Sequence, residues 1–256
     1  MTLPQGGEIA LKLKKPEFIM FDYGQTLVKE GGYDGAAGFD SILRYASSNP
    51  TGVTGAELQA EEEKLNEELG RFNPATRHKR LIETPEESVN RYLFAKFGIE
   101  FPEDCDLRDL EPIFWEAANP YGPCEGIGEL MTFLKGENIR TGVVSNLSFC
   151  GRTLEKRIYN AIPEADFEFV ISSCDYLFRK PSRHIFEAAL GKAGVSADKV
   201  WFCGDQFVPD IQGSSAAGIL PVWYKGNLRY DSECEMTGGI EINHWSELIE
   251  LLKLLG

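Results

Sequence analysis

Two rhythms of apolar and polar positions run along the chain. Phe18-Ile19-Met20-Phe21 is an unbroken apolar run. Its length and lack of a polar face predict a strand buried on both sides, as in a parallel sheet. It stops at the carboxylate of Asp22, and Gly24 follows two residues later. Comparable runs recur at Thr141 to Val144, Phe167 to Ile171, Lys199 to Cys203 and Leu220 to Trp223, with a short apolar stretch at Ile240 to Ile242. Helical patterns fall between them, at Gly126 to Lys135, Gly151 to Asn160, Ser182 to Ala193, Pro209 to Ala217 and Ser246 to Leu254. Strands alternating with helices predict an α/β fold whose parallel sheet is covered by helices on both faces. The lead-in to residue 15 holds an expected edge strand around Ile9 to Leu13.

The rhythm changes in the middle of the chain. Glu30 to Gly38 is rich in glycine and predicts a turn or connection. From residue 36 to 118 helical periodicity takes over. Ala56 to Leu69 carries Leu58, Leu65 and Leu69 among many glutamates, which predicts an amphipathic helix with a solvated acidic face. Thr84-Pro85 followed by Glu87 has the spacing of an N-cap, a first-turn proline and a capping box. That helix continues through Val89, Tyr92, Leu93 and Phe97 and stops at Gly98. Asp106 to Ala118 is a further helix. Pro120 to Pro123 is a hinge-like return. The predicted organisation is an α/β core formed by residues 1–35 and 119–256, with an all-helical domain at 36–118 inserted into it.

Composition narrows the partners. The net charge of −14 disfavours nucleic-acid backbones and anionic membranes. No apolar run reaches the length of a membrane span. Met1 to Lys15 lacks an apolar core of signal-peptide length, so a cytoplasmic protein is expected. The six cysteines form no C-x-x-C pair and are expected to be reduced thiols, with Cys174 and Cys203 as core packing. Trp201 and Trp223 are likewise expected in the core. The three histidines are scattered, which disfavours zinc. A monomer and a homodimer both remain open.

Polar groups cluster where the predicted strands end. Asp22 and Thr26 follow the first. Ser145 and Asn146 follow Val143-Val144. Lys180 precedes Pro181 at a helix start, and Gly204-Asp205 follows Trp201-Phe202-Cys203, with Asp210 five residues on. Parallel packing brings such ends to one sheet edge. Phosphoryl transfer to a carboxylate needs an in-line anionic oxygen, a cation and donors for the equatorial oxygens. Asp22, Asp205, Asp210 and the Gly24 carbonyl suit Mg²⁺, which prefers oxygen ligands. Ser145, the Asn146 backbone N–H and Lys180 can serve the phosphate oxygens, and the Tyr23 N–H can join them.

These four motifs, in this order, resemble the haloacid dehalogenase superfamily. The resemblance covers roughly 16–35 and 119–256, and implies a Rossmann-like core acting through an aspartyl-phosphate with Mg²⁺. The inserted helices are similar to the C1-type cap of the phosphoglycolate phosphatase and β-phosphoglucomutase-like branch. Residue by residue, Asp22 resembles the nucleophile, Ser145 the second-motif hydroxyl and Lys180 the third-motif lysine. Asp205 resembles the fourth-motif metal ligand, and Asp210 the acid that closes that motif. The implied substrate is a small phosphorylated metabolite.

One position departs from the phosphatase pattern D-x-D-x-T. The chain has Asp22-Tyr23-Gly24-Gln25-Thr26, so the family's second aspartate, its general acid and base, is Gly24. Losing such a group typically slows a reaction about 10²–10⁴-fold. The loss weighs most on alkyl phosphates, whose leaving groups are strongly basic. Three readings follow. The chain is a phosphatase for activated esters, or one whose acid comes from the cap or the substrate. Alternatively it follows the dehalogenase and phosphonatase branches, which also lack this aspartate. The acidic metal pattern disfavours the former, and the latter requires a cap lysine such as Lys64. The third reading is a non-catalytic protein that binds a phosphate ligand. A basic cluster in the cap, Arg71, Arg77, His78, Lys79 and Arg80, either faces an anionic substrate or forms a solvated face.

Overall fold

The computed structural model describes residues 13–71, 73, 79–227 and 233–256. Strand β1 (Phe18–Phe21) leads to a short strand β2 (Val28–Glu30), and then to four helices, α1 (Gly35–Leu43), α2 (Gly55–Glu68), α3 (Glu86–Phe97) and α4 (Leu107–Ala118). A return strand β3 (Tyr121–Pro123) follows. The alternating part comprises α5 (Ile127–Gly136), β4 (Arg140–Ser145), α6 (Gly151–Ala161), β5 (Val170–Ser172), α7 (Ser173–Tyr176), α8 (Arg183–Ala193) and β6 (Val200–Gly204). It ends with α9 (Gly213–Ala216), β7 (Leu220–Tyr224), β8 (Ile240–Ile242) and α10 (Trp245–Leu255). The expected edge strand lies outside the described residues except for Leu13, which is in no strand.

Six strands form one sheet in the order β5-β4-β1-β6-β7-β8, and every pairing is parallel. The predicted α/β fold is the observed one. β1 sits inside the sheet, and its side chains divide between two cores. Ile19 and Phe21 join the apolar cluster that includes Leu130 of α5 and Trp245 of α10. Phe18 and Met20 join the one that includes Ile185 and Phe186 of α8. All four are fully buried, and burying a side chain of this size contributes about 1.5–3 kcal/mol. That explains the run without a polar face.

The chain reverses direction across the sheet at β1. β4 and β5 lie to one side, while β6, β7 and β8 lie to the other. Phe21 is in register with Val143 and with Cys203, so the three central strands end together. This is the switch point at which open α/β sheets leave a crevice.

The four helices between residues 35 and 118 pack on the carboxyl side of this edge through α4. Trp115 lies 4.8 Å from Phe149, ring centre to ring centre. Several local expectations need correction. The glycine-rich passage is not all turn, because Gly35 to Gly38 forms the first turn of α1. A Cβ at Gly38 would stand 2.7 Å from the Phe114 ring, so glycine there permits close packing of α1 on α4. The hinge-like return is instead an antiparallel ribbon, with Glu30 opposite Tyr121 and Val28 opposite Pro123. The capping box at Thr84 does not form. Pro85 is the N-cap residue, Arg80 takes the Thr84 hydroxyl, and Glu87 pairs with Arg91 and Arg108. The helix expected over Pro209 to Ala217 is a π-helical turn, Phe207–Gln212, followed by α9. By contrast, Gly98 ends α3 in the left-handed conformation, as expected.

Glycines in the helical segment give a direct test of packing. A Cβ at Gly55 would fall 2.2 Å from the Ala36 carbonyl oxygen, which is backbone and cannot turn aside. Gly55→Ala is expected to destabilise the protein by about 1–3 kcal/mol. Gly191 lies in α8 with nothing within 4 Å of the same added atom. Gly191→Ala is expected to stabilise by about 0.5–1 kcal/mol. Urea unfolding midpoints of the two variants measure both effects.

Candidate active site

The site is built around a buried ammonium group. Lys180 Nζ lies 2.6 Å from Asp22 Oδ1 and 2.7 Å from Asp210 Oδ1, and it donates to the Val144 carbonyl at 2.8 Å. It also lies 5.0 Å from the centre of the Phe202 ring. Asn146 fixes the backbone that carries it. The Lys180 N–H donates to Asn146 Oδ1 at 2.7 Å, and Asn146 Nδ2 donates to the Lys180 carbonyl at 2.8 Å. Burial works against the charged ammonium, yet Asp210 and Asp22 outweigh it and hold the lysine above its ordinary pKa.

Asp22 leaves β1 in the crevice, with its N–H bonded to the Cys203 carbonyl at 2.8 Å. Asp205 and Asp210 follow β6. Gly204 lets Asp210 fold back onto the strand, since a Cβ there would stand 2.5 Å from that of Asp210. The Asp210 carboxylate accepts the Gln206 N–H at 2.9 Å, and Trp223 Nε1 donates to the Asp205 carbonyl at 2.9 Å. One carboxylate oxygen from each of Asp22, Asp205 and Asp210 lies within 4.8 Å of the others, and all three residues are buried. Burial, then the charges of Asp22 and Asp210, push Asp205 well above the ordinary carboxylate range. Burial also raises Asp210, against the pull of Lys180.

This set fits a divalent cation. Three buried carboxylates face one ammonium, more acidic groups than the lysine can pair. Asp205 Oδ1 is buried and has no hydrogen-bond partner among the described residues. A buried acceptor in that condition is costly unless a cation or water satisfies it.

Every site residue expected from the sequence lines one cavity of about 190 Å³. Ser145 is buried at its wall, and Gly24 lies beside Asp22. The Tyr23 side chain turns away from the crevice. Its hydroxyl accepts from Arg157 Nε at 2.9 Å and donates to Glu30 Oε1 at 3.2 Å. Burial and the Glu30 charge push that phenol far above its usual range. Thr26 is fully buried. Glu30 and Gln206 also line the cavity and were not singled out in the sequence. The glycine-rich pattern places Glu30 in a turn, and its position on the β2–β3 ribbon brings it to the site.

With this geometry in hand, comparison with known proteins is informative. The sequence model of the haloacid dehalogenase-like hydrolases matches residues 63–223, more than half of the 256 residues. The chain belongs to that family. The match takes in Ser145, Lys180, Asp205 and Asp210. A glyceraldehyde 3-phosphate phosphatase from Methanothermobacter thermautotrophicus is 28% identical over 123 residues, 48% of this chain and 54% of its own. The chain thus spans about half the length of that curated relative. Among solved structures, a 2-haloacid dehalogenase from Pseudomonas syringae aligns with a TM-score of 0.60 at 19% identity, covering 95% of this chain and 100% of its own. A HAD phosphatase from Thermococcus onnurineus aligns at 0.58 and 19%, covering 94% and 98%. Likenesses at this identity establish the fold.

In this haloacid dehalogenase-like chain the inserted helices leave a second cavity, of about 640 Å³, between themselves and the core. Glu30 lines both cavities. Tyr33, Trp115 and Phe149 give the larger one an apolar wall, and Glu62 and Glu86 give it an acidic one. The expected solvated face of α2 is therefore only partly solvated: Glu62 is buried, while Leu69 is exposed. The described members of the basic cluster do not face this space as a group. Arg71 is buried in an ion pair with Glu86 at 3.1 Å and donates to Asn66 at 2.8 Å. Arg80 donates to the Leu69 and Ile82 carbonyls, and Lys79 is exposed. Arg77 and His78 lie outside the described residues. Lys64 is exposed on α2 and pairs with Glu61, which removes the basis for the cap lysine that the phosphonatase reading requires. Among the described residues no helix is long and apolar enough to cross a membrane.

Burial, then the Glu86 charge, raises Glu62 to about 7 from an ordinary value of 4.5. The folded protein therefore holds a proton there that the unfolded chain releases. Between pH 4.5 and 7 the native state binds more protons, so this group's contribution to stability falls as pH rises. Glu62→Gln removes that penalty. The melting temperature of the variant relative to wild type is expected to increase between pH 5 and pH 8, by at least about 2 °C. Thermal unfolding at the two pH values measures it, and an unchanged difference would refute the assignment.

Proposed function

We propose that this chain is a Mg²⁺-dependent phosphatase that hydrolyses a small phosphorylated metabolite, with Asp22 as nucleophile. The observation that carries the reading is the convergence of Asp22, Asp205, Asp210 and Lys180 in one small buried cavity at the sheet's switch point. The phosphatase name of the Methanothermobacter relative supports it. Asp22, Asp205 and the Gly24 carbonyl would hold the ion, with Asp210 beside them. When bound, Mg²⁺ supplies positive charge between the nucleophile and the phosphate.

The chain's own groups do the rest. Lys180 orients Asp22 through their 2.6 Å contact, and adds positive charge against a transferring phosphoryl group. The Ser145 hydroxyl and backbone N–H groups at Tyr23 and Asn146 are the donors for its oxygens. The Asn146 side chain has a different task, because both of its polar atoms clamp the Lys180 backbone. The leaving group lies in the larger cavity under the inserted helices, which act as a cap.

Hydrolysis of 4-nitrophenyl phosphate by the purified protein tests the reading. Turnover is expected to stop on chelation, to return with Mg²⁺, and to fall by about 10⁴-fold or more in Asp22→Asn. Asp205→Asn is expected to weaken Mg²⁺ binding measured by calorimetry. Phosphate release that is unchanged in Asp22→Asn would overturn the assignment. Mg²⁺ binding without turnover of any phosphate ester would move the chain to the ligand-binding reading.

A further inference from the structure

The aspartate that Gly24 replaces leaves a gap in the chemistry, and the structure holds a carboxylate beside it. A Cβ built on Gly24 meets a single atom within 4 Å, Glu30 Oε2 at 3.8 Å. Glu30 thus brings a carboxylate within a side chain's reach of the backbone position that would otherwise carry one. It lines the same cavity as Asp22, Ser145 and Lys180, and it also lines the larger cavity under the helices. It therefore stands at the junction where the bond between phosphorus and leaving oxygen must lie.

The carboxylate is held in place by its neighbours. Its Oε1 accepts from the Tyr23 hydroxyl at 3.2 Å and faces Arg157 Nη2 at 3.7 Å. Arg157 is buried, donates to the Asn119 carbonyl at 2.6 Å, and stacks over the Tyr121 ring at 3.7 Å and the Trp115 ring at 4.3 Å. These contacts anchor one oxygen, and the other faces Gly24. The backbone is fixed as well, because Glu30 is paired with Tyr121 in the β2–β3 ribbon.

We propose that Glu30 is the general acid and base of this site, a catalytic residue supplied by the ribbon in place of the absent aspartate. The proposal rests on the phosphatase reading. In the first step Asp22 Oδ bonds to phosphorus and the bond to the leaving oxygen breaks. Glu30 gives its proton to that oxygen, so the alcohol leaves neutral. In the second step a water loses a proton to the Glu30 carboxylate and bonds to phosphorus. The Asp22–phosphorus bond breaks, which releases phosphate and restores the Asp22 carboxylate and the protonated Glu30.

The two steps make different demands, and that separates a proton-transfer role from a structural one. A nitrophenolate leaves without a proton, whereas an alkoxide does not. Glu30→Gln keeps the shape and the Oε1 acceptor but cannot exchange the proton. With 4-nitrophenyl phosphate and Mg²⁺, the variant is expected to release about one equivalent of nitrophenol per enzyme in a rapid phase, followed by steady turnover slowed about 10²–10⁴-fold. With glycerol 3-phosphate, which needs the acid in the first step, turnover falls by a similar factor and shows no rapid phase. Gly24→Asp combined with Glu30→Gln is expected to restore steady turnover, because a Cβ at position 24 meets no close neighbour and no second carboxylate then opposes the new one. Steady turnover of the nitrophenyl ester in Glu30→Gln at the wild-type rate, or slowed with no rapid phase, would overturn the proposal while Asp22-dependent hydrolysis by the wild type still upheld the phosphatase. Wild-type turnover that does not depend on Asp22 would overturn both.

Discussion

The structure depends on placing one ammonium among three carboxylates in a space that excludes most water. Taking such charges out of water is expensive, and their mutual attraction repays it only if the geometry is tight. Lys180 meets that condition, with two carboxylates and a carbonyl within hydrogen-bonding range. Removing one partner from a buried pair of this kind typically costs about 3–5 kcal/mol. The requirement reaches into the local fold. Asn146 must clamp the Lys180 backbone, Gly204 must lack a side chain so that Asp210 can close in, and the three central strands must end in register. One ammonium does not neutralise three carboxylates. The carboxylate oxygens left over are what a divalent cation, rather than a second lysine, would bind in a cavity this small.

The scaffold of this arrangement was legible along the chain. Strand ends carry their chemistry at fixed offsets from apolar runs. Asp22, Ser145, Lys180, Asp205 and Asp210 could therefore be located before their distances were known. The parallel sheet followed from the alternation of runs and helices. What stayed hidden depends on partners distant in sequence. Glu62 has the neighbours of a solvated helical residue, and its burial comes from the way α2 packs against α1 and α3. Thr84 has the spacing of a cap, but Arg80, four residues before it, takes its hydroxyl. Arg71 looks like part of a basic surface cluster until Glu86 and Asn66 close around it. In each case the local pattern is correct as chemistry and a tertiary contact redirects it.

Glu30 is the sharpest example, and it bears on how the site is divided between core and inserted helices. The proposed nucleophile and the carboxylates proposed to hold the metal sit at the ends of core strands and share their rigidity. The Glu30 carboxylate sits on a two-stranded ribbon through which the chain enters and leaves the helical segment. Arg157 ties this ribbon to both sides. It is anchored on core helix α6, and it reaches Glu30, the Tyr23 hydroxyl, and the Trp115 and Asn119 carbonyls at the end of α4. A proton donor carried on such a ribbon is aligned only when the helical segment, Arg157 and the ribbon are in place together. An aspartate at position 24 would be aligned by the core alone. Replacing it with glycine therefore does more than move a carboxylate by a few residues. In the proposed reaction it transfers control of the proton from the loop after β1 to the junction between the core and the helices that cover the substrate.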